Sequence, residues 1–251
     1  MKLFISATEC TTKDIGFNQC IDLNCKYYLY SYYNLRGRTN KVDYLSVKGE
    51  VFIDSGAHTL QKPGKEVDYE KFVFEYIKFI NEYKRYIDYI VELDVENKIG
   101  MSLVEKYRDQ IYKETGIEPI VVWHRERGFD YLKYMTKKYK YIGFSGFVED
   151  KTGENEVPIK YIDTFIKMAH DNGALVHGFG YTRSDLYRHK FDSVDSSSWG
   201  MFRRFGKIDK FEVNRMKQYK SLRNFKNIYK NMADYNVKEW IKYQQFLDIL
   251  T

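Results

Sequence analysis

Eight short apolar runs recur along the chain with amphipathic stretches between most of them, and that alternation leaves few folds open. The runs are Leu3–Ser6, Tyr27–Tyr32, Val51–Asp54, Tyr89–Asp94, Ile120–His124, Tyr141–Ser145, Ala174–Gly178 and Ser193–Ser196. The clearest helix lies over Tyr69–Tyr86, where Phe72, Tyr76, Phe79, Ile80 and Tyr83 recur at spacings of three and four and make one face apolar. Ser102–Glu114 and Ile159–His170 read the same way, with Gly116 and Gly173 behind two of these helices as stop signals. Strands alternating with helices call for a parallel sheet, and a count of eight favours an α/β fold of the (β/α)8 TIM-type barrel. The 251 residues match the roughly 250 that such a barrel takes. With no internal repeat and no clean linker, residues 1–251 are expected to form one barrel domain. Strands and site would occupy about residues 1–200, and basic C-terminal helices about 201–251.

Composition removes several classes. Hydrophobic residues at 43% and aromatics at 18% are ample for a packed core, which excludes a mostly disordered chain. The longest apolar runs are about five residues, against the roughly 20 that a membrane span needs. The apolar stretch at the N-terminus is too short for a secretory signal, so a cytoplasmic chain with no membrane partner is expected. Cys10, Cys20 and Cys25 form no Cys-x-x-Cys pair and read as buried small hydrophobes in a reducing compartment. Charge is uneven: the net of +6 hides ten Lys or Arg against only Asp209 and Glu212 between residues 201 and 230, a local net of +8. Phe211, Met216, Tyr219, Leu222, Phe225, Tyr229 and Met232 recur there at spacings of three to five. They predict a long helix with a basic remainder, followed by Asp234 as N-cap of a last helix carrying Val237, Trp240, Ile241 and Phe246. Such a segment suits a polyanion such as nucleic acid, against the bland reading of a solvated helix face.

Polar groups collect where the runs end. Val51–Ile53 runs into Asp54-Ser55-Gly56-Ala57-His58, Val91-Glu92-Leu93 into Asp94, and Ile120–Trp123 into His124. Tyr141–Phe144 is followed by Ser145-Gly146, Val176-His177 by Gly178-Phe179-Gly180, and Asp192 and Asp195 flank Ser193-Val194. In a barrel all strand C-termini open on one face, so Asp54, Asp94, His124, His177 and Asp195 are expected to converge there. Taken singly, each is as well explained by capping the next helix. Asp192 and Asp195 fall on opposite faces of a strand, so one of them should face the site.

The ordered series resembles the tRNA-guanine transglycosylases and their phage and bacterial relatives that insert 7-deazaguanines into DNA. It comprises Asp54-Ser55-Gly56, Asp94, His124, Ile142–Gly146, His177–Gly180 and Asp192-x-x-Asp195-Ser196-x-Ser198-Trp199. The resemblance implies a base exchange, guanine out and a 7-deazaguanine in, by a pentosyltransferase working through a covalent aspartyl–sugar intermediate. Asp195 would be the nucleophile, Asp54 the carboxylate that handles the base proton and Ser55 its recognition neighbour. Asp94 would read the guanine edge and the Gly146 N–H would meet the base carbonyl. His124 stands where the family has glutamine and His177 where a stacking methionine is common. Ser145 and Gly178 complete the base-binding set, with Phe144, Phe147, Phe179 or His177 as a stacking wall. A carboxylate under an oxocarbenium-like sugar and a second one of raised pKa fit that chemistry.

Departures shape the expectation further. No cysteine follows Cys25, so the zinc subdomain of the tRNA enzymes is not expected, and neither a metal nor a cofactor is. Ala57 and His58-Thr59 depart from the family pattern, and no room exists for an appended RNA-binding domain. DNA is therefore the expected partner in a bacterial or phage-infected cell, with a deazaguanine base as small-molecule substrate, and a homodimer is compatible with this. Arg203, Arg204 and Lys207 would hold phosphates beside the nucleophile segment. Alternatives are a tRNA enzyme, a metal-dependent hydrolase using His58, Asp94, His124, His177 and Asp195, and a non-catalytic nucleic-acid-binding barrel.

Overall fold

The computed structural model describes residues 1–11, 14–62, 64, 66–146, 161–200, 206–220 and 229–250, with side chains from residue 235 onward in the last stretch. Strands β1 (Lys2–Ser6), β2 (Tyr27–Ser31), β3 (Glu50–Asp54), β4 (Tyr89–Ile90), β5 (Val121–Trp123), β6 (Tyr141–Phe144), β7 (Leu175–Gly178) and β8 (Ser193–Ser196) form one parallel sheet. Its order is β4-β3-β2-β1-β8-β7-β6-β5. The two outer strands meet through a single parallel bridge, Val91 with Ile120. There Ile120 N–H donates to the Ile90 carbonyl at 2.8 Å and Glu92 N–H to the Ile120 carbonyl at 3.1 Å. The bridge closes the ring into a (β/α)8 barrel.

Side chains that alternate along each strand separate two apolar groups. Phe4, Tyr27, Leu29, Phe52, Val91, Ile120 and Val122 pack inside the barrel. Leu3, Ile5, Val51, Ile53, Val121, Ile142 and Val176 belong to the core between the sheet and the outer helices. The Phe179 ring also enters the barrel, because Gly143 leaves it room: a Cβ there would lie 2.3 Å from that ring. Outer helices span Ile15–Asp22, Tyr69–Tyr83, Met101–Thr115, Gly128–Lys138 and Ile162–Asp171. Asp68 starts the second by accepting the Lys71 N–H, and left-handed Gly116 stops the third. The β2–β3 link holds only the short turns Tyr32–Leu35 and Lys41–Leu45, and the β7–β8 link a single 3-10 turn, Leu186–Arg188.

The joint between β4 and β5 is reinforced by a side chain. Glu92 is fully buried, and its Oε1 accepts the Val122 N–H at 2.7 Å, doing there what a ladder carbonyl does elsewhere. The same oxygen accepts from Arg127 at 2.8 Å, while Oε2 accepts from Arg108 Nε at 2.7 Å. Arg127 also holds Glu96, at 2.7 and 2.9 Å, so two guanidinium groups balance two carboxylates, the condition under which a buried charge such as that of Glu92 is tolerated.

The C-terminal region departs from the sequence expectation. No helix spans Phe211–Met232. Lys207–Glu212 (β9) and Arg215–Lys220 (β10) pair antiparallel instead. Their apolar residues meet as cross-strand pairs, Phe211 with Met216 and Ile208 with Tyr219, and Val213 takes positive φ in the turn, with Asn214 following. A helix then runs over Tyr229–Ile249, so residue 234 lies inside it and is not its cap. This helix packs on β1, on β9, on the outer helix Ile15–Asp22 and on the 3-10 turn Ser198–Gly200 behind β8. Gln244 ties it to the barrel by donating to the Leu3 carbonyl at 2.8 Å and accepting the Lys26 N–H at 2.9 Å. None of the three cysteines is in a disulfide; Cys20 and Cys25 are buried as expected, but Cys10 is exposed.

Candidate functional site

The barrel mouth is built from the residues that end the strands. β1 contributes Ser6, β2 Ser31, β3 Asp54 and β8 Asp195; Asp94 and His124 follow β4 and β5. Around the closed ring β8 lies four positions from β4, so Asp195 and Asp94 face each other across the mouth. Asp54 sits between them, and both of their charges act on it.

Asp54 is the most perturbed of these groups. Burial, reinforced by the charges of Asp94 and Asp195, pushes its carboxyl up to about 8. One oxygen accepts the Gly56 N–H at 3.1 Å, which offsets this in part. Gly56 is required at that turn. Its φ is +87°, and a Cβ would lie 2.4 Å from the Tyr33 Cβ. Asp94 is also raised by burial, against the lowering effect of His124. The His124 Nε2 lies 2.9 Å from Asp94 Oδ2. Burial disfavours the imidazolium, but Asp94 outweighs it and the His124 pKa is raised. The pair therefore holds a proton between them.

Asp195 is held differently. Gly180 N–H donates to its Oδ1 at 2.7 Å and Ser6 Oγ–H to its Oδ2 at 2.9 Å. The His177 Nε2 is 3.5 Å from Oδ1. Asp192 faces the other way: its Oδ2 accepts from Val176 N–H at 2.7 Å and meets His170 at 2.9 Å. Trp199 is buried and donates from Nε1 to the Ser6 carbonyl at 2.8 Å. It also packs on Gly16, where a Cβ would come within 2.3 Å of its ring. The last residue of the Asp-Ser-Ser-Ser-Trp run is thus a packing element.

The other sequence-derived positions divide. A cavity of about 250 Å³ at the mouth is lined by His58, Gln61, Asp94, His124, Ser145 and Gly146 among others. Asp54 and Asp195 are not on the wall of this cavity, and Ser55 is fully buried with an unpartnered Oγ. Gly178 is buried against Phe191 and Tyr181, where a Cβ would come within about 3 Å of both. Phe144 packs on Trp123 and Phe165 in the outer core and forms no wall of the site. Lys207 is half-buried in β9, and Arg203, Arg204 and Phe147 lie outside the described residues. Among the described residues no group of three His, Cys, Asp or Glu side chains is placed to share a metal ion, so the five residues of the hydrolase alternative do not form one centre.

Sequence reasoning missed Glu9. It follows β1 closely, is buried, and accepts the Ser31 N–H at 3.1 Å through Oε1 while Oε2 has no partner. Burial raises its carboxyl, and its charge adds to the pressure on Asp54. Its one legible signal is an acidic residue directly behind an apolar strand.

By fold and site, then, the molecule is a (β/α)8 barrel whose titratable groups gather at its C-terminal mouth. No protein-family model and no curated protein matches its sequence. Among solved structures it is similar to a chain from Coccidioides immitis described as a "putative deoxyribose-phosphate aldolase". The TM-score is 0.52 and the identity 11%, with 79% of this chain and 81% of that chain covered. A likeness at that identity is one of fold. It nevertheless corrects the resemblance drawn from the motifs: the neighbour carries an aldolase description, and neither the transglycosylase family nor its deazaguanine and DNA-modification chemistry is supported. The physical reason is plain. Aspartate, histidine and glycine at consecutive strand ends are what a barrel uses to build any polar mouth, so their order follows the fold and not one reaction. As for membranes, no helix among the described residues is long and apolar enough to cross one.

Proposed function

We propose that the chain is an enzyme that moves protons on a small hydroxycarbonyl compound, making or breaking a carbon–carbon bond of the aldol type without a covalent imine. The observation that carries this reading is the Asp54 carboxyl, pushed up to about 8 between two further aspartates. A carboxylic acid that stays protonated near neutral pH donates a hydrogen bond to a carbonyl oxygen and stabilises the charge that develops there. The His124–Asp94 pair takes the hydroxyl proton whose loss opens the bond, and the carbon left behind takes a proton from solvent at the mouth, where the pair releases the one it gained. One proton is thus removed and one delivered per turnover.

The fold neighbour is called an aldolase, which supports the reaction class. An aldolase that forms a Schiff base needs a lysine amine at the reacting centre. The described strand ends supply Ser6, Ser31, Asp54, Asp94, His124, Ser145, His177 and Asp195, and no lysine. Acid–base chemistry by carboxylates is the alternative these residues fit. The test is proton NMR in deuterium oxide with a panel of hydroxyaldehydes and their phosphates, deoxyribose 5-phosphate included. Aldehyde products and deuterium at the carbon next to the carbonyl are expected, slower by about 100-fold or more in Asp54→Asn. A borohydride quench should leave the protein mass unchanged. Absence of turnover across the panel, or a substrate-sized adduct after the quench, overturns the reading.

A further inference from the structure

A closed eight-stranded barrel is ordinarily packed along its length with bulky branched side chains, and its N-terminal face serves stability. The lowest inward layer of this barrel is built otherwise. Lys2, Tyr89, Tyr141 and Leu175 are the first residues of β1, β4, β6 and β7. The residues that follow them, Leu3, Ile90, Ile142 and Val176, belong to the outer core, so these four point inward. They do not seal the end. A cavity of about 680 Å³ opens there, walled by them and by residues 187–192, which lead into β8. Leu175 is 46% exposed although it belongs to the inward layer. Tyr89, Tyr141 and Tyr187 are half-buried in the same wall. An aromatic and apolar concavity that stays open to water, within the roughly 300–1,000 Å³ of small-molecule sites, has the build of a binding site.

One side of the cavity is basic. His189, between Arg188 and Lys190, is extended at φ −96° and ψ 144°, so the two flanking side chains leave the backbone on the same side. His189 itself is buried, with Nδ1 2.8 Å from Asp163 Oδ1, and further on Asp192 N–H donates to the Val176 carbonyl at 3.0 Å. The segment that carries the two cations is thus pinned on both sides of Lys190. Arg188 and Lys190 are exposed, and among the described residues neither is in an ion pair. Arg188 Nε–H donates to Tyr187 Oη at 3.0 Å, which leaves the two terminal nitrogens of the guanidinium for another acceptor. The carboxylates in the wall are engaged elsewhere: Asp192 with Val176 N–H and His170, and Asp248 with Lys26 and Tyr27. We propose that this cavity binds an aromatic organic phosphate of nucleotide size, its planar ring against Tyr89, Tyr141 and Leu175 and its phosphate on Arg188 and Lys190. A guanidinium fork grips phosphate bidentately and an ammonium adds a point charge beside it. Inorganic phosphate would engage the cations and leave the aromatic wall in water, whereas an uncharged ring would cover the wall and leave the cations without a counter-charge. The site lies at the opposite end of the barrel from Asp54, Asp94 and Asp195, so a ligand there does not touch the mouth, and the proposal does not rest on the aldol-type reading.

Isothermal titration calorimetry of the full chain with the 5′-monophosphates of adenosine, guanosine, cytidine and uridine tests this. Saturable binding of at least one is expected, tighter by about tenfold or more than that of its nucleoside and than that of inorganic phosphate. Replacing Arg188 and Lys190 together by Ala should weaken the nucleotide about tenfold or more, to the level of the nucleoside. These two side chains are exposed, so the fold should persist, and near-ultraviolet circular dichroism checks it. Leu175→Trp fills the cavity and should block nucleotide and nucleoside alike. Should that variant not fold, the double variant and the comparison with inorganic phosphate still decide. Absence of saturable binding by every nucleotide overturns the proposal. Inorganic phosphate binding as tightly as the nucleotide overturns it too, because the ring is then not recognised. So does unchanged nucleotide binding in the folded double variant, which would place the ligand elsewhere.

Discussion

Asp54 couples the site to the stability of the whole chain. Its carboxyl titrates near 3.8 when unfolded and near 8 when folded. Between those values the folded chain binds more protons than the unfolded one, so unfolding becomes easier as pH rises from about 4 to about 8 and levels off above that. The stability is fully present below the unfolded value and is lost through the folded one. Asp54→Asn should flatten this decline in urea unfolding curves collected across that window. If wild type and variant lose stability in parallel, Asp54 does not titrate there. At this scale the sequence was a good guide to position and a poor one to role. Asp54, Asp94, His124 and Asp195 stand at or just beyond the C-terminal ends of β3, β4, β5 and β8, where the apolar runs place them, because the end of a buried run is where a barrel first meets solvent. Nothing in the spacing foretold that Ser55 turns inward or that Glu9 stands close enough to act on Asp54. Those depend on side-chain directions in a loop that passes through the left-handed Ala7 and on the turn at Gly56.

At the scale of elements, all eight strand positions were legible to within a few residues, since each is a buried run bounded by polar residues. The C-terminal hairpin was not. Apolar residues three to five apart satisfy a helix on paper, but Phe211 and Met216 are also cross-strand partners in the β9–β10 register. What decides between the two is the partner. β9 is held by side chains of the terminal helix: Asp209 N–H donates to Asn236 Oδ1 at 3.0 Å, Phe211 N–H to Glu239 Oε2 at 2.9 Å, and Trp240 Nε1–H to Asp209 Oδ2 at 2.8 Å. A two-stranded hairpin is marginal alone, so this docking supplies its stability. Asn236→Ala leaves the buried Asp209 N–H without its acceptor and should cost about 1–3 kcal/mol. Guanidinium unfolding would show it as a lower midpoint at constant slope. An unchanged midpoint would mean that the hairpin does not depend on the helix.

Across the whole molecule, seven neighbouring strand pairs are joined by backbone ladders and the eighth by one bridge and the Glu92 carboxylate. Glu92→Ala leaves the buried Arg108 guanidinium without its carboxylate and the Val122 N–H without its acceptor, while Arg127 keeps Glu96, and should destabilise the chain by about 3–5 kcal/mol. Glu92→Gln keeps an acceptor for Val122 and should cost less. Thermal unfolding of both variants tests the order, and an alanine variant as stable as the wild type would show that the bridge alone closes the ring. The same joint lies directly beneath Asp94 and His124, which stand on its two sides. The barrel is therefore less a hoop than a split collar, fastened at one point by charged side chains. Asp94 and His124 thus stand over the one seam that a side chain fastens, and Asp195 stands on the opposite side of the ring, where backbone ladders join β8 to both of its neighbours.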